Sequence, residues 1–349
     1  MTERYAAPAL AAFATELLFR QGLDPGKAEA TARVLLEGDL LGHTTHGLAL
    51  LAPYLDEAAA GRMRGQGSWA VVSEAGAAQT WDGQRLPGPW LIEQAADWAA
   101  VRARDTGIAA VSVRRSCHIG CLAAYLRRVA LGGQMLVIAC SDPSTASVAP
   151  FGGTRRMITP NPLAAGWPSP GGPVLIDVSM SITTNAMTAR LAREGRRFDH
   201  PWLLDNEGAA TDDPAAFAAD GTLLPLGGVE SGHKGYALGL LIEALTAALG
   251  GFGRADAPAD WGAAVLVMVI DPARFGGLDA FARETGWIED AVHANPPIVA
   301  GAPPRLPGER ALRLRAEQLA SGVALHPSIV PALRARAQSS GLAMPQPLP

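Results

Sequence analysis

The sequence predicts a mixed α/β (α+β) fold, a mixed sheet with helical N- and C-terminal parts, rather than a doubly wound parallel sheet. Helices and strands do not alternate regularly along the chain. One strand–helix–strand unit lies near residues 107–140, and helices without intervening strands are predicted at both ends.

Composition sets the class. Of 349 residues, 48% are hydrophobic and 18% charged, and 39 glycines and 27 prolines are spread along the length, which describes a compact globular chain with a sizeable core. The formal charge of −4 comes from interspersed signs. The nearest basic cluster, "REGRRF" at 193–198, is too short to track a nucleic-acid backbone. The opening segment carries charges at both ends and Glu16 inside its apolar part, so it reads as an amphipathic helix and not a signal peptide. Runs such as "AAVLVMVI" from Ala263 are too short to span a bilayer. Cys117, Cys121 and Cys140 form no even framework, which fits a reducing compartment; a cytoplasmic protein is expected. Cys117-His118-x-x-Cys121 has no second ligand pair, so these cysteines read as small buried residues.

The elements follow in order. A first helix runs from about Pro8 to Arg20 and stops at Gly22; a second starts with Asp24 as cap and Pro25 at its first position. That second helix delivers "GHTTHGL", residues 42–48. "GIAAVSV" from Gly107 reads as a strand, "HIGCLAAYLRRVALGG" as a helix and "QMLVIAC" as another strand. "GPVLIDVS" at 172–179 is a strand, and "NAMTARLAREG" a helix ending at Gly195. A polar excursion holds a short helix after Asp213. "HKGYALGLLIEALTAALGG", 233–251, is the longest apolar helix, expected as a core or interface helix. A strand at 263–270 and helices near 277–287, 309–320 and 327–338 complete the chain. The division expected is an N-terminal helical part, 1–70, packed with C-terminal helices in 300–349, and a central mixed-sheet part, 71–299, with an insertion near 196–228.

The usual phosphate-binding signatures are missing: no GxxxxGK[ST] occurs and no GxGxxG joins a strand to a helix. "GQGSWA" at 65–70 precedes a strand and opens no helix. A bound dinucleotide must be held by other means.

On local sequence alone His46 has three readings: a proton donor, half of a metal pair with His43, or a hydrogen-bonded imidazole at a helix end. His118 opens a predicted helix after a strand, where backbone N–H groups face an anion, and Lys234 stands before the long apolar helix in a similar setting. Asp177 is placed to accept from a ribose hydroxyl or simply to end its strand.

Seven separated segments carry a resemblance: "GDLLGHTTHGL", "WDGQR", "SCHIGCLAAY", "VAPFGGTRRMITPNPLAAGWP", "IDVSMS", "GHKGYALGLLIE" and "RLPGER". In order and spacing the chain resembles the malate/L-lactate dehydrogenase family that lacks a Rossmann fold, over roughly residues 5–335. That family includes reductases of 2,3-diketo-L-gulonate and piperideine-2-carboxylate and dehydrogenases of ureidoglycolate, sulfolactate and malate. "DVSMS" followed by Met187 is most similar to the diketogulonate reductase branch.

The resemblance implies a non-Rossmann NAD(P)-binding fold, NADH or NADPH as cofactor, a small-molecule substrate, no metal and a homodimer with its site near the subunit boundary. His46 takes the proton-donor position, with Thr45 orienting it in Thr45-His46-Gly47, and His118 is a further catalytic and cofactor contact. Other implied cofactor positions are Gly120, Ser144, Asp177, Val178, Ser179, His233, Lys234, Gly235, Gly308, Glu309 and Arg310. Arg155, Arg156 and Arg310 are candidate readers of a 2'-phosphate.

Three departures matter. Leu50 stands where the family commonly carries a carboxylate-binding arginine, so either another cation, for example Arg190 or Arg115, takes over or the substrate has no carboxylate there. Thr-Asn-Pro becomes Pro160-Asn161-Pro162, and "ITTNAM" holds no aspartate to support the proton donor. The function expected is hydride transfer interconverting a 2-oxo acid, dicarbonyl or cyclic imino acid with its hydroxy or amino counterpart. The alternatives are a non-catalytic cofactor- or metabolite-binding member of the family and, further off, a metal-dependent hydrolase using His43, His46 and His118.

Overall fold

The computed structural model describes residues 3–348. The chain opens with β1 (Arg4–Tyr5) and helices α1 (Ala7–Arg20), α2 (Pro25–Leu40) and α3 (Leu51–Ala59). The hairpin β2 (Ala70–Ala75) and β3 (Ala78–Asp82) leads to α4 (Gly88–Thr106), β4 (Ile108–Ser116), α5 (Ala123–Leu131) and β5 (Met135–Ser141). Next come β6 (Leu163–Trp167), β7 (Val174–Val178), α6 (Asn185–Arg193), the short strands β8 (Leu203–Leu204), β9 (Ala210–Thr211) and β10 (Thr222–Leu223), and α7 (Gly228–Glu243). The chain finishes with β11 (Ala263–Ile270), α8 (Leu278–His293), α9 (Glu309–Ser321), β12 (Val323–Ala324) and α10 (Val330–Ser339).

Seven strands form one mixed sheet in the order β2-β3-β4-β11-β5-β6-β7, with β3 and β4 parallel and the other neighbours antiparallel. The expected strand–helix–strand unit is β4-α5-β5, but β11, more than a hundred residues later, inserts between its two strands. Val265, Val267 and Val269 of β11 pack under α4 and α5 with Leu91, Ala95, Leu126 and Val129. Leu266 points the other way, to Met180 and Ile242 of α7. Burial on both faces explains the unbroken apolar run of this strand.

A second core joins α1, α2 and α3 to Val323, Leu325, Val330 and Leu333, and β1 pairs with β12. Gln318 of α9 donates its amide to the carbonyls of Asp39 and Leu40 at 2.9 and 3.1 Å. Those carbonyls lie in the last turn of α2, where intrahelical partners run out, so the C-terminal helices fix the point from which residues 42–48 depart.

Two predicted helix starts need correction. α5 begins at Ala123, not at His118, because the Asp177 carboxylate at the end of β7 accepts the Ala123 N–H at 2.9 Å and caps the helix there. α7 begins at Gly228, so Lys234 lies inside the helix rather than before it. Gly227 and Gly228, with φ of 99° and 65°, turn the chain into that helix in a conformation open chiefly to glycine.

The inner face of α7 is made of Gly228, Gly232, Gly235, Gly239 and Ile242. A Cβ on Gly235 would stand 2.4 Å from the Leu226 carbonyl oxygen, and one on Gly239 would stand 2.9 Å from Ile158. Close approach therefore uses the small residues, and Val229, Leu238, Leu241 and Leu249 are exposed. Of the two expectations, a core or an interface helix, the first is corrected, because in the single chain α7 is apolar outward.

The excursion near 196–228 folds as a small sheet, β10-β8-β9, and a 3-10 turn at Pro214–Phe217 capped by Asp213. Phe198, Leu203 and Leu223 seat it on Val148, Ile158 and Leu191. All three cysteines are buried and free. Among the described residues no helix is long and apolar enough to cross a membrane.

Candidate active site

The loop after α2 is shaped by Asp39. This carboxylate is buried, its Oδ2 accepts the Leu48 N–H at 2.6 Å, and Oδ1 has no partner. Gly47 passes so close that a Cβ there would stand 2.4 Å from the carboxylate, and a Cβ on Gly38 would stand 3.1 Å from Gly47 Cα. Both glycines are thus required by close backbone approach. Burial pushes the Asp39 carboxyl up to about 7, against the Leu48 hydrogen bond and the Arg190 charge. The sequence reading missed Asp39; the available signal was an acid inside the apolar stretch "LLEGDLLG".

Arg190 of α6 steadies the same loop, donating to Thr44 Oγ1 at 2.9 Å and to the Thr44 carbonyl at 3.0 Å. Held from both sides, the loop presents His46, half-buried, to a cavity of about 580 Å³. Thr45 Oγ1 lies 2.9 Å from His46 Nδ1, the orienting contact expected of it. Nε2 is the atom left for chemistry. Burial lowers the affinity of this imidazole for a proton; the Asp177 carboxylate opposes that, while His43 and Arg190 reinforce it. Asp177 thus supplies carboxylate support that "ITTNAM" could not.

His118 lies beside it with ring centroids 6.0 Å apart and stacks on Trp261 at 4.6 Å. Its Nδ1 accepts from the Gly120 N–H at 3.2 Å and faces the Tyr54 hydroxyl at 2.8 Å. An Nδ1 that accepts a backbone N–H carries no proton, so the neutral ring bears its hydrogen on Nε2. Burial, followed by the nearby His46, lowers its pKa to about 3. His118 is therefore a fixed neutral donor, and the reading of it as a helix-end anion contact is corrected. Tyr54 and Trp261 were not foreseen: one is a helix residue, the other a lone tryptophan before a strand, and local pattern marks neither.

The cavity also takes in Gly120, Asp142, Asp177, Ser179, Asn185 and Trp202. Asp177 has a use not foreseen, as the cap of α5, and the Cys121 thiol points to it at 3.6 Å. His43, Cys121 and Asp177 bring ligand-type atoms within 4.8 Å of one another, a group that leaves His46 out. Asp177 Oδ2 is already used by the Ala123 N–H and the Cys121 thiol.

The other expected cofactor positions fall outside the wall of this cavity. Ser144 gives its hydroxyl to Asp142 at 2.7 Å, and Val178 is an exposed residue at the end of β7. His233 and Lys234 are exposed on α7, where Gly235 is a packing residue. Gly308 starts α9, Glu309 holds His293 at 2.6 Å, and Arg310 is exposed. Their turn clips onto β7 through the Leu175 N–H and the Pro307 carbonyl at 3.1 Å. Arg156 donates to the Gly221 carbonyl at 2.8 Å and so braces the insertion; Arg155 is exposed.

Comparison with known proteins agrees with this architecture. Residues 5–334 match the family model described as malate/L-lactate dehydrogenase. An L-sulfolactate dehydrogenase of Methanothermobacter thermautotrophicus is 31% identical over 82% of this chain and 84% of its own length. A Δ1-pyrroline-2-carboxylate reductase of Ancylobacter novellus is 29% identical over 92% of this chain and 93% of its own. The crystal structure of malate dehydrogenase from Entamoeba histolytica superposes with a TM-score of 0.93, covering 99% of this chain and all of that one, at 21% identity, which bears on the fold alone. The chain belongs to the malate/L-lactate dehydrogenase family. It is an oxidoreductase of the dehydrogenase and reductase kind, and the expected mixed α/β fold class is borne out.

Proposed function

We propose that this enzyme interconverts a carbonyl or cyclic imine compound, of the 2-oxo acid, dicarbonyl or imino acid type, with its hydroxy or amino counterpart, using NADH or NADPH. The observation that carries this reading is the pair of unlike histidines on one cavity wall, one ready to exchange a proton and one fixed as a neutral donor.

The residues present fit a nicotinamide cofactor. Asp142, Asp177, Ser179 and Thr159 offer acceptors and hydroxyls suited to ribose, Trp261 and His118 a flat surface, and Asn185 a buried Oδ1 without a partner. When bound, the reduced cofactor supplies a hydride. His46, protonated, donates Nδ1–H to Thr45 Oγ1 and holds its other proton at Nε2 for the atom that becomes hydroxyl or amine. The Asp177 charge favours that imidazolium. His118 Nε2–H offers a hydrogen bond to the oxygen or nitrogen as it gains negative charge, and its low pKa keeps it from competing for the proton. Tyr54 and the Gly120 N–H fix the orientation of that ring.

A homodimer is part of the proposal. The outward apolar residues of α7 suit burial against a second copy, and sedimentation of the purified protein checks it.

The test begins with thermal shifts in NADH and in NADPH, since a ligand that binds only the folded state raises its stability. It continues with cofactor oxidation across 2-oxo acids, dicarbonyls and cyclic imines. Stabilisation by one dinucleotide and oxidation with at least one class is the expected result. Tight dinucleotide binding without oxidation in any class would move the protein to a purely binding role.

A further inference from the structure

The two routes left open by Leu50 are distinguished by where the arginines stand. Arg115 binds Asp82 through two nitrogens, at 2.6 and 2.9 Å. It lines a separate cavity with Arg85 and Asp260. Arg190 spends two donors on Thr44 and faces a neighbouring groove with Ala49, Ser328 and Leu333. Neither lines the cavity that His46 faces. Among the described residues, that wall contains no lysine or arginine, and its formal charges are the carboxylates of Asp142 and Asp177. Around His46 the same wall presents Leu50, Ile182, Met187, Trp202 and Trp261, each only partly covered by the rest of the chain.

An anionic group brought into such a place loses water, finds no permanent cation beyond the proton that His46 gives up in the reaction, and meets two like charges. A flat apolar substituent gains contact with the Trp202 indole and with Leu50, Ile182 and Met187.

We infer that the substrate is an uncharged dicarbonyl compound carrying an apolar, flat substituent, and not a 2-oxo acid with one or two further anionic groups. This rests on the proposed hydride transfer at His46 and selects one of its substrate classes. In the balanced step, one carbonyl carbon gains the hydride and its π pair moves to oxygen. That oxygen takes the His46 Nε2 proton, and NAD(P)H is oxidised to NAD(P)+. The product is an α-hydroxy ketone. The relative named a sulfolactate dehydrogenase acts, by its name, on a carboxylate that also bears a sulfonate.

The experiment compares compounds of matched shape. 1-Phenylpropane-1,2-dione is neutral, benzoylformate replaces its acetyl group with a carboxylate, and oxaloacetate carries two carboxylates. Binding to the protein with the preferred oxidised dinucleotide is read by tryptophan fluorescence or calorimetry, and turnover by NAD(P)H oxidation. The dione is expected to bind and turn over better than benzoylformate by about tenfold or more, with oxaloacetate weaker still. Leu50→Arg is expected to reverse the order of the first two, and Trp202→Ala to weaken both phenyl compounds by about tenfold while leaving oxaloacetate unchanged. Equal or better binding of benzoylformate or oxaloacetate by the unaltered protein overturns the inference, as does absence of binding by all three. If the binding order holds while no compound is reduced, the inference stands and hydride transfer at His46 falls.

Discussion

Two short regions supply one histidine each to the same cavity and treat it in opposite ways. Residues 38–48 hold His46 on a loop packed by glycines over a buried carboxylate, with only Thr45 Oγ1 on its Nδ1. Residues 116–122 hold His118 with Nδ1 accepting the Gly120 N–H, the Tyr54 hydroxyl beside it and donating to the His118 carbonyl, and its face covered by Trp261. Burial depresses both imidazoles, but the Asp177 charge works back toward the cation at His46, whereas at His118 the second influence, His46 itself, adds to the depression. Residue type therefore does not assign the role. What differs is which nitrogen is free and which charge lies near.

The largest break in that contrast is His46→Asn. Turnover should fall by about 10² to 10⁴, the usual worth of a positioned acid or base, while the dissociation constant of the dinucleotide moves by less than about twofold. Equilibrium binding beside steady-state kinetics checks the split. His118→Gln should cost less, about 10- to 100-fold in kcat, because a side-chain donor is displaced rather than a proton carrier lost. Its distinguishing readout is the pH profile. For reduction, kcat declines as pH rises through the pKa of His46, which lies below its ordinary value, and for oxidation it rises through the same pKa. That inflection should survive in His118→Gln and vanish in His46→Asn.

Stability sharpens the comparison further. His118 has a folded pKa near 3 against 6.5 ordinarily, so between those values only the unfolded chain takes the proton. Its contribution is complete above pH 6.5 and is lost as pH falls toward 3. Asp39 is the reverse: its folded pKa is raised to about 7 from 3.8, so its contribution is complete below pH 3.8 and is lost as pH rises to about 7. Asp39→Asn keeps an acceptor for the Leu48 N–H and removes the charge. Its stability relative to the parent should rise across that window, on the order of 1 kcal/mol per pH unit at most. Denaturant melts at pH 5 and pH 8 check this, and a constant difference would contradict the burial of Asp39. The smallest effect expected is that of Tyr54→Phe, about 1 kcal/mol of stability with a few-fold loss in kcat as the His118 ring is released.

How much of this was legible in the sequence depends on the range of the cause. α1, α2, α6 and β11 were legible because their signals are local: Pro25 at a helix start, Thr184 before Asn185, an unbroken apolar run. Thr45 and His46 were proposed through the kinship of separated segments, and their contact follows from adjacency. The start of α5 was hidden because its cap, Asp177, lies on another strand. The start of α7 was misplaced because apolar periodicity counts leucines, and this helix packs by glycines. Trp202 and Trp261 reach the cavity from an insertion and from the turn before β11, a juxtaposition that only the sheet order creates.

The most direct test of the central claim, that His46 and not His118 carries the proton, is nitrogen-15 NMR titration of both imidazoles in the folded protein. The expected result is a tautomer with hydrogen on Nε2 at His118 that stays neutral down to about pH 4, while His46 takes up a proton at higher pH. Protonation of His118 near neutrality, with His46 silent, would contradict the account.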